Sequence, residues 1–185
     1  AILEGKQGEQ FTDSASSDNI RCSANFYRDI GDAYTVKSND FGSAHDFIAD
    51  LRAETADGGG DTPEAVEQAL DDAVNNHSWD NDSVKLLFLV LDAPPHNETG
   101  IVKKMQDLYA KAALKGIRII PVVASDADRD TELLMRCGAI ATGGTYLFIT
   151  DDSGIGNSHL EPIVGSVTVE KLNELIIKVI YGYLE

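Results

Sequence analysis

Basic residues are scarce in this 185-residue chain, where 15 lysines and arginines stand against 31 aspartates and glutamates for a formal net charge of -16. That balance repels phosphate backbones and anionic lipid, which argues against nucleic acid as a ligand and suits cations or basic partners. Cysteine is nearly missing too. Cys22 and Cys137 are too few for a disulfide scaffold, and their separation gives no CxxC spacing for metal or redox work. No apolar run approaches the ~20 residues of a membrane span, and the first residues carry no basic stretch of the kind that opens a signal peptide. What is there is a 43% hydrophobic, 25% charged composition over residues 1–185, enough for one domain around one core.

The pattern along the chain alternates. Ala1 to Gly5 reads as the last turn of a helix running into a terminating glycine, so the domain is expected to begin inside an element. Ile20 to Tyr27 partly alternates as a strand, Arg28 to Asp32 reads as a turn, and Ala33 to Val36 as a short returning edge arm. Ser43 is a candidate N-cap for a helix burying Phe47, Ile48 and Leu51. A second helix is expected over Thr62 to Val74, with Pro63 in its first turn and a small-residue face. Val84 to Leu91 is almost wholly apolar, as in a central strand covered on both faces.

Thereafter helix and strand take turns. Ile101 to Leu114 reads as helix up to Gly116, Ile117 to Val123 as strand, Thr131 to Ile140 as helix, Tyr146 to Ile149 as strand and Val169 to Leu184 as the last helix. Asp151 to Val164 has a loop composition. The predicted class is α/β: a three-layer, doubly wound, mostly parallel sheet with one antiparallel edge strand and ligands at the carboxyl ends of the strands.

Two residues at that edge could carry chemistry. Asp92 follows the most apolar strand, and Thr62 follows three glycines before a helix, so a carboxylate and a hydroxyl could meet as hard oxygen donors for Mg²⁺, Mn²⁺ or Ca²⁺. Thr62 also reads simply as an N-cap, and Asp92 as a turn residue before Pro94-Pro95. Asp61, His96, Asp151 and Asp152 are candidates for the partner-facing surface, although a lone loop histidine and an acidic turn are equally ordinary solvated features. The glycines match neither GxGxxG nor GxxxxGK[ST], and no GxSxG or HExxH accompanies them. An α/β hydrolase or nucleotide-dependent enzyme is therefore disfavoured, and no catalysis is expected.

Phe26-Tyr27-Arg28-Asp29-Ile30-Gly31-Asp32, Gly58 to Ala65, Leu87 to His96 and Ala141 to Tyr146, in that order, resemble a von Willebrand factor type A domain of the bacterial kind. The resemblance implies a six-stranded sheet flanked by helices, with a metal-ion-dependent adhesion site made of an Asp-x-Ser-x-Ser loop, a threonine and an aspartate. Thr62 and Asp92 match the last two. The Asp-x-Ser-x-Ser loop is missing, since Asp13-Ser14-Ala15-Ser16-Ser17 has alanine where serine is needed and stands after the expected helix.

By the same resemblance, the first strand of the sheet is missing too. The function implied is a protein-binding or adhesion module outside the cytoplasm, at the cell surface, secreted or in the periplasm. Its Mg²⁺ or Ca²⁺ would be completed by an acidic residue of a protein partner. The alternative is a structural subunit of a surface assembly, in which a second chain or segment supplies the missing strand.

Overall fold

The computed structural model describes residues 20–57, 62–124, 127–149 and 170–185. These form β1 (Cys22–Tyr27), β2 (Val36–Gly42), α1 (Ala44–Ala53), α2 (Val66–Asn75), β3 (Lys85–Leu91), α3 (Ile101–Leu114), β4 (Ile117–Val123), α4 (Arg129–Thr142), β5 (Leu147–Phe148) and α5 (Leu172–Gly182). The strands make two sheets: β3, β4 and β5 are parallel in that order, while β1 and β2 pair antiparallel, with a register shift between Cys22 and Ala24. The protein is thus α/β, with a parallel and an antiparallel sheet among its described residues.

Alternation along the parallel strands builds two apolar layers. Leu87, Leu89 and Leu91 share a face with Ile117, Ile119 and Val123, and this face packs on Val66, Leu70 and Val74 of α2, Met105 and Leu108 of α3, and Met135 of α4. The opposite face offers Leu86, Phe88, Ile120, Val122 and Leu147 to Leu172, Leu175, Val179 and Tyr183 at the C-terminal helix. The first layer is sealed and the second is thin: α5 has no fully buried residue. At the far side of the sheet, Val90 remains 58% exposed.

The helix caps follow simple rules. Ser43 and Asp128 each accept a hydrogen bond from the amide three residues on, at the starts of α1 and α4. Gly143 ends α4 in the left-handed region at φ 65°. Gly144 then passes so close to β4 that a Cβ there would collide with the Ile119 carbonyl oxygen, while the Ile119 amide donates to Thr142 Oγ1.

Several boundaries move. The returning arm of the hairpin is Val36–Gly42 and not Ala33 to Val36, because residues 28–35 form a longer loop closed by Arg28 N donating to Thr35 O. Its sequence, VKSNDFG, is too polar to announce a strand, and it forms the edge of a small sheet half open to solvent. The second helix begins at Val66 and not Thr62, so Pro63 is not in its first turn. Among the described residues β3, expected to be central, stands at one end of the order β3-β4-β5. Leu51 is 46% exposed and does not join the core. The expected elements before Ile20, and the loop from Asp151 to Val164, lie outside the described residues.

Candidate functional site

β3 delivers Asp92 to the carboxyl edge of the parallel sheet, where the ladder continues one step as Ala124 N donates to Leu91 O. After Ala93, Pro94 and Pro95 have fixed φ and hold the loop extended with carbonyls available to a neighbour. Glu64 takes that place. Its amide donates to Pro94 O at 2.9 Å, and Glu64 and Pro95 form a parallel β-bridge. The segment from Thr62 to Glu64 is therefore not the start of a helix but an extended strip laid on the loop that follows β3. Thr62, which is not the N-cap of α2, and Asp92 are both solvent-exposed near this junction.

Tyr27 belongs to the same edge. Burial, then the nearby carboxylates of Asp92 and Glu64, push its phenol well above the ordinary tyrosine range, so it stays protonated and donates to Val90 O at 2.9 Å. The sequence offered no sign that a hairpin tyrosine would share a field with Asp92. Asp61, Asp151 and Asp152 lie outside the described residues.

Among the described residues, Thr62 and Asp92 are donors of the right kind for a hard cation and too few for a strong site. A threonine hydroxyl and an aspartate would supply two of the six oxygens that Mg²⁺ takes in near-octahedral geometry. Among the described residues no group of three or more His, Cys, Asp or Glu side chains is placed to hold a metal ion.

His96 is not the exposed loop histidine its sequence context suggests. Its side chain is 13% exposed and lies between two carboxylates, Nε2 at 2.9 Å from Asp29 Oδ1 and Nδ1 at 3.2 Å from Glu67 Oε1. Glu67 is itself buried in the first turn of α2, with Oε2 lacking a hydrogen-bond partner. The imidazole thus ties the β1–β2 loop, the start of α2 and the loop after β3 together. Beside it is a cavity of about 430 Å³ lined by Ile30, Val36, Glu67, Asp71, His96 and Lys104, among others. Lys104 there pairs with Asp71 at 2.9 Å.

A second buried histidine escaped sequence reasoning. His77, just past α2, bonds Asn25 Oδ1 at 2.7 Å and Ser38 Oγ at 3.1 Å, with Asp40 and Asp72 carboxylates within 3.5 Å and 3.4 Å of its ring nitrogens. Phe41 packs edge-on to it. These partners are scattered from position 25 to 72, so no local pattern could have gathered them. No protein-family model matches this chain, and no curated protein sequence matches it either.

Proposed function

We propose that the chain is a protein-binding module of the von Willebrand factor type A kind, with a doubly wound architecture, working at the cell surface, outside the cell or in the periplasm. Its partner meets the carboxyl edge, where Thr62 and Asp92 offer oxygen to Mg²⁺ or Ca²⁺ and an acidic side chain of the partner fills a remaining position. His96, held between Asp29 and Glu67, fixes the loop that carries Asp92. The observation that carries this reading is the bridge of Glu64 to Pro94 and Pro95, which joins the Thr62 and Asp92 segments at one edge. No catalytic role is assigned.

Calorimetric titration with Mg²⁺ and Ca²⁺ tests it. With so few protein donors, binding should be weak, about 10⁻³ M or weaker, and should vanish in Asp92→Ala. Tight binding, or weak binding that survives D92A, would overturn the assignment.

A second reading is a structural subunit of a surface assembly completed by a donated strand, which the division of the described strands into two sheets would suit. Size-exclusion chromatography in chelator separates the two, because a strand-linked assembly persists without metal and a cation-bridged one dissociates.

A further inference from the structure

α2 brings three carboxylates, Glu67, Asp71 and Asp72, to the wall of one cavity. Two of them are answered. Asp71 takes Lys104 Nζ at 2.9 Å and Asn75 Nδ2 on its other oxygen, while Asp72 takes Asn76 Nδ2 at 2.7 Å and Asn25 Nδ2 at 2.9 Å. Glu67 is the most buried of the three, its side chain 3% exposed, and it is the one left short. Its Oε1 meets His96 Nδ1, and its Oε2 has no hydrogen-bond partner.

Positive charge is short there as well. His96 stands between Asp29 and Glu67, and one imidazole carries at most a single positive charge against two carboxylates. Its 2.9 Å approach to Asp29 Oδ1 is an ion-pair distance without hydrogen-bond alignment, so that buried oxygen too lacks a hydrogen-bond partner. Nearby basic side chains are engaged elsewhere: Arg28 donates to Thr55 O and lies over the Tyr34 ring, and Lys104 is held by Asp71. Burying a carboxylate without a matching cation is costly. The Asp29, His96 and Glu67 group therefore carries surplus negative charge, and Glu67 and His96 bring it to the cavity wall.

The chemistry of the cavity narrows what cation answers it. Both ring nitrogens of His96 face carboxylates, so the ring parts the two acids and offers a metal ion no free nitrogen. A guanidinium fork prefers both oxygens of one carboxylate, and Oε1 of Glu67 is taken. A primary ammonium is a point charge that uses single oxygens. Ile30, Val36 and Ile101 add apolar wall of the kind an alkyl stem covers. The volume, about 430 Å³, is that of a small-ligand pocket.

We propose that this cavity receives a primary alkylammonium, with Glu67 taking the charged head, Ile30, Val36 and Ile101 along the stem, and a lysine side chain of a protein partner as its source. The terminal torsion of a glutamate is soft, so the open lone pairs of Oε2 turn to a donor that enters. The net charge of -16 draws a basic partner in. That the ammonium belongs to a polypeptide rests on the protein-binding reading, whereas the cavity is independent of the Thr62 and Asp92 site.

The test is an NMR titration of the whole chain, in chelator, with Nα-acetyl-lysine methylamide. This probe should shift the Glu67 carboxylate and His96 ring resonances saturably, its norleucine counterpart, which lacks the ammonium, should shift neither, and its arginine counterpart should bind a few-fold more weakly. Glu67→Gln removes the charge. Gln68→Lys leaves Glu67 in place and tethers a competing ammonium at the cavity wall. Each variant should keep its circular dichroism spectrum and lose at least tenfold in affinity.

The proposal is overturned if the lysine probe gives no saturable shift, if the norleucine probe binds as well, if the arginine probe binds more tightly, or if Q68K binds like the parent. Putrescine, a free diamine, separates the sources: binding tenfold tighter than the lysine probe overturns the polypeptide source, and equal or weaker binding supports it. Saturable ammonium binding beside a chain that binds no Mg²⁺ sinks the Asp92 cation site alone. Mg²⁺ binding without any ammonium effect sinks this proposal alone.

Discussion

The two sheets are held together by different chemistry. β3, β4 and β5 are fixed by apolar packing on Leu70, Met105, Ile119 and Met135, all fully buried. β1 and β2 are fixed largely by polar links: His77 with Asn25 and Ser38, Asp40 with Ser78, Lys37 with Glu54, and Tyr27 with Val90. Dispersion and burial are insensitive to pH and cooperate over the whole core. Polar links between a few side chains depend on protonation, and each loses most of its value once one partner moves. The lesson is that the parallel sheet should behave as the stable body of the molecule, and the hairpin sheet as an outrigger that can open alone.

The largest blow to the stable body comes from filling or emptying it. Met135→Ala should cost about 2–5 kcal/mol and lower the denaturation midpoint for both sheets together, as read by urea unfolding. Gly144→Ala should cost at least about 1–3 kcal/mol, because the new methyl collides with backbone that cannot swing aside. Loss of the hairpin sheet alone in either variant would contradict the division.

His77→Ala should act the other way. It strands Asn25, Ser38 and two carboxylates, at about 1–3 kcal/mol, and should speed amide exchange in β1 and β2 while β4 keeps its protection. Equal loosening of β4 would mean that the two sheets unfold as one.

Acid sharpens the contrast further. Hydrogen bonds from the Ser78 hydroxyl, the Ser78 amide and the Phe41 amide hold Asp40 at about 2, below the ordinary 3.8. Because the folded value is the lower one, the link stabilises the hairpin fully above the unfolded value and is lost as pH falls from about 4 toward about 2. Hairpin amides should therefore open before those of β4 in that window, and Asp40→Asn should flatten the difference. The smallest effect belongs to Asp92→Ala, an exposed position that should leave stability within about 0.5 kcal/mol while removing cation binding.

Legibility in the sequence tracks the same division. Ile101–Leu114 and Ile117–Val123 were readable to the residue, since long apolar periodicities bounded by Gly116 leave little choice. Val36–Gly42 was not, because a half-exposed edge strand of Lys, Ser, Asn and Asp carries no period-2 apolar signal. The helix start at Thr62 was misplaced because Thr-Pro-Glu is a good local opening, and a tertiary bridge to Pro95 overrode it.

At the site, the carboxyl-edge position of Asp92 followed from strand order. The Asp29, His96 and Glu67 cluster, whose members come from two loops and one helix, could not follow from any spacing.

The most direct test of the two-body account is native-state hydrogen exchange at neutral pH across low denaturant. The account predicts two levels of opening free energy, with Ala24 and Phe26 in the hairpin sheet well below Ile119, Ile120 and Val122 in β4. A single level shared by both sheets, with the same denaturant dependence, would contradict it.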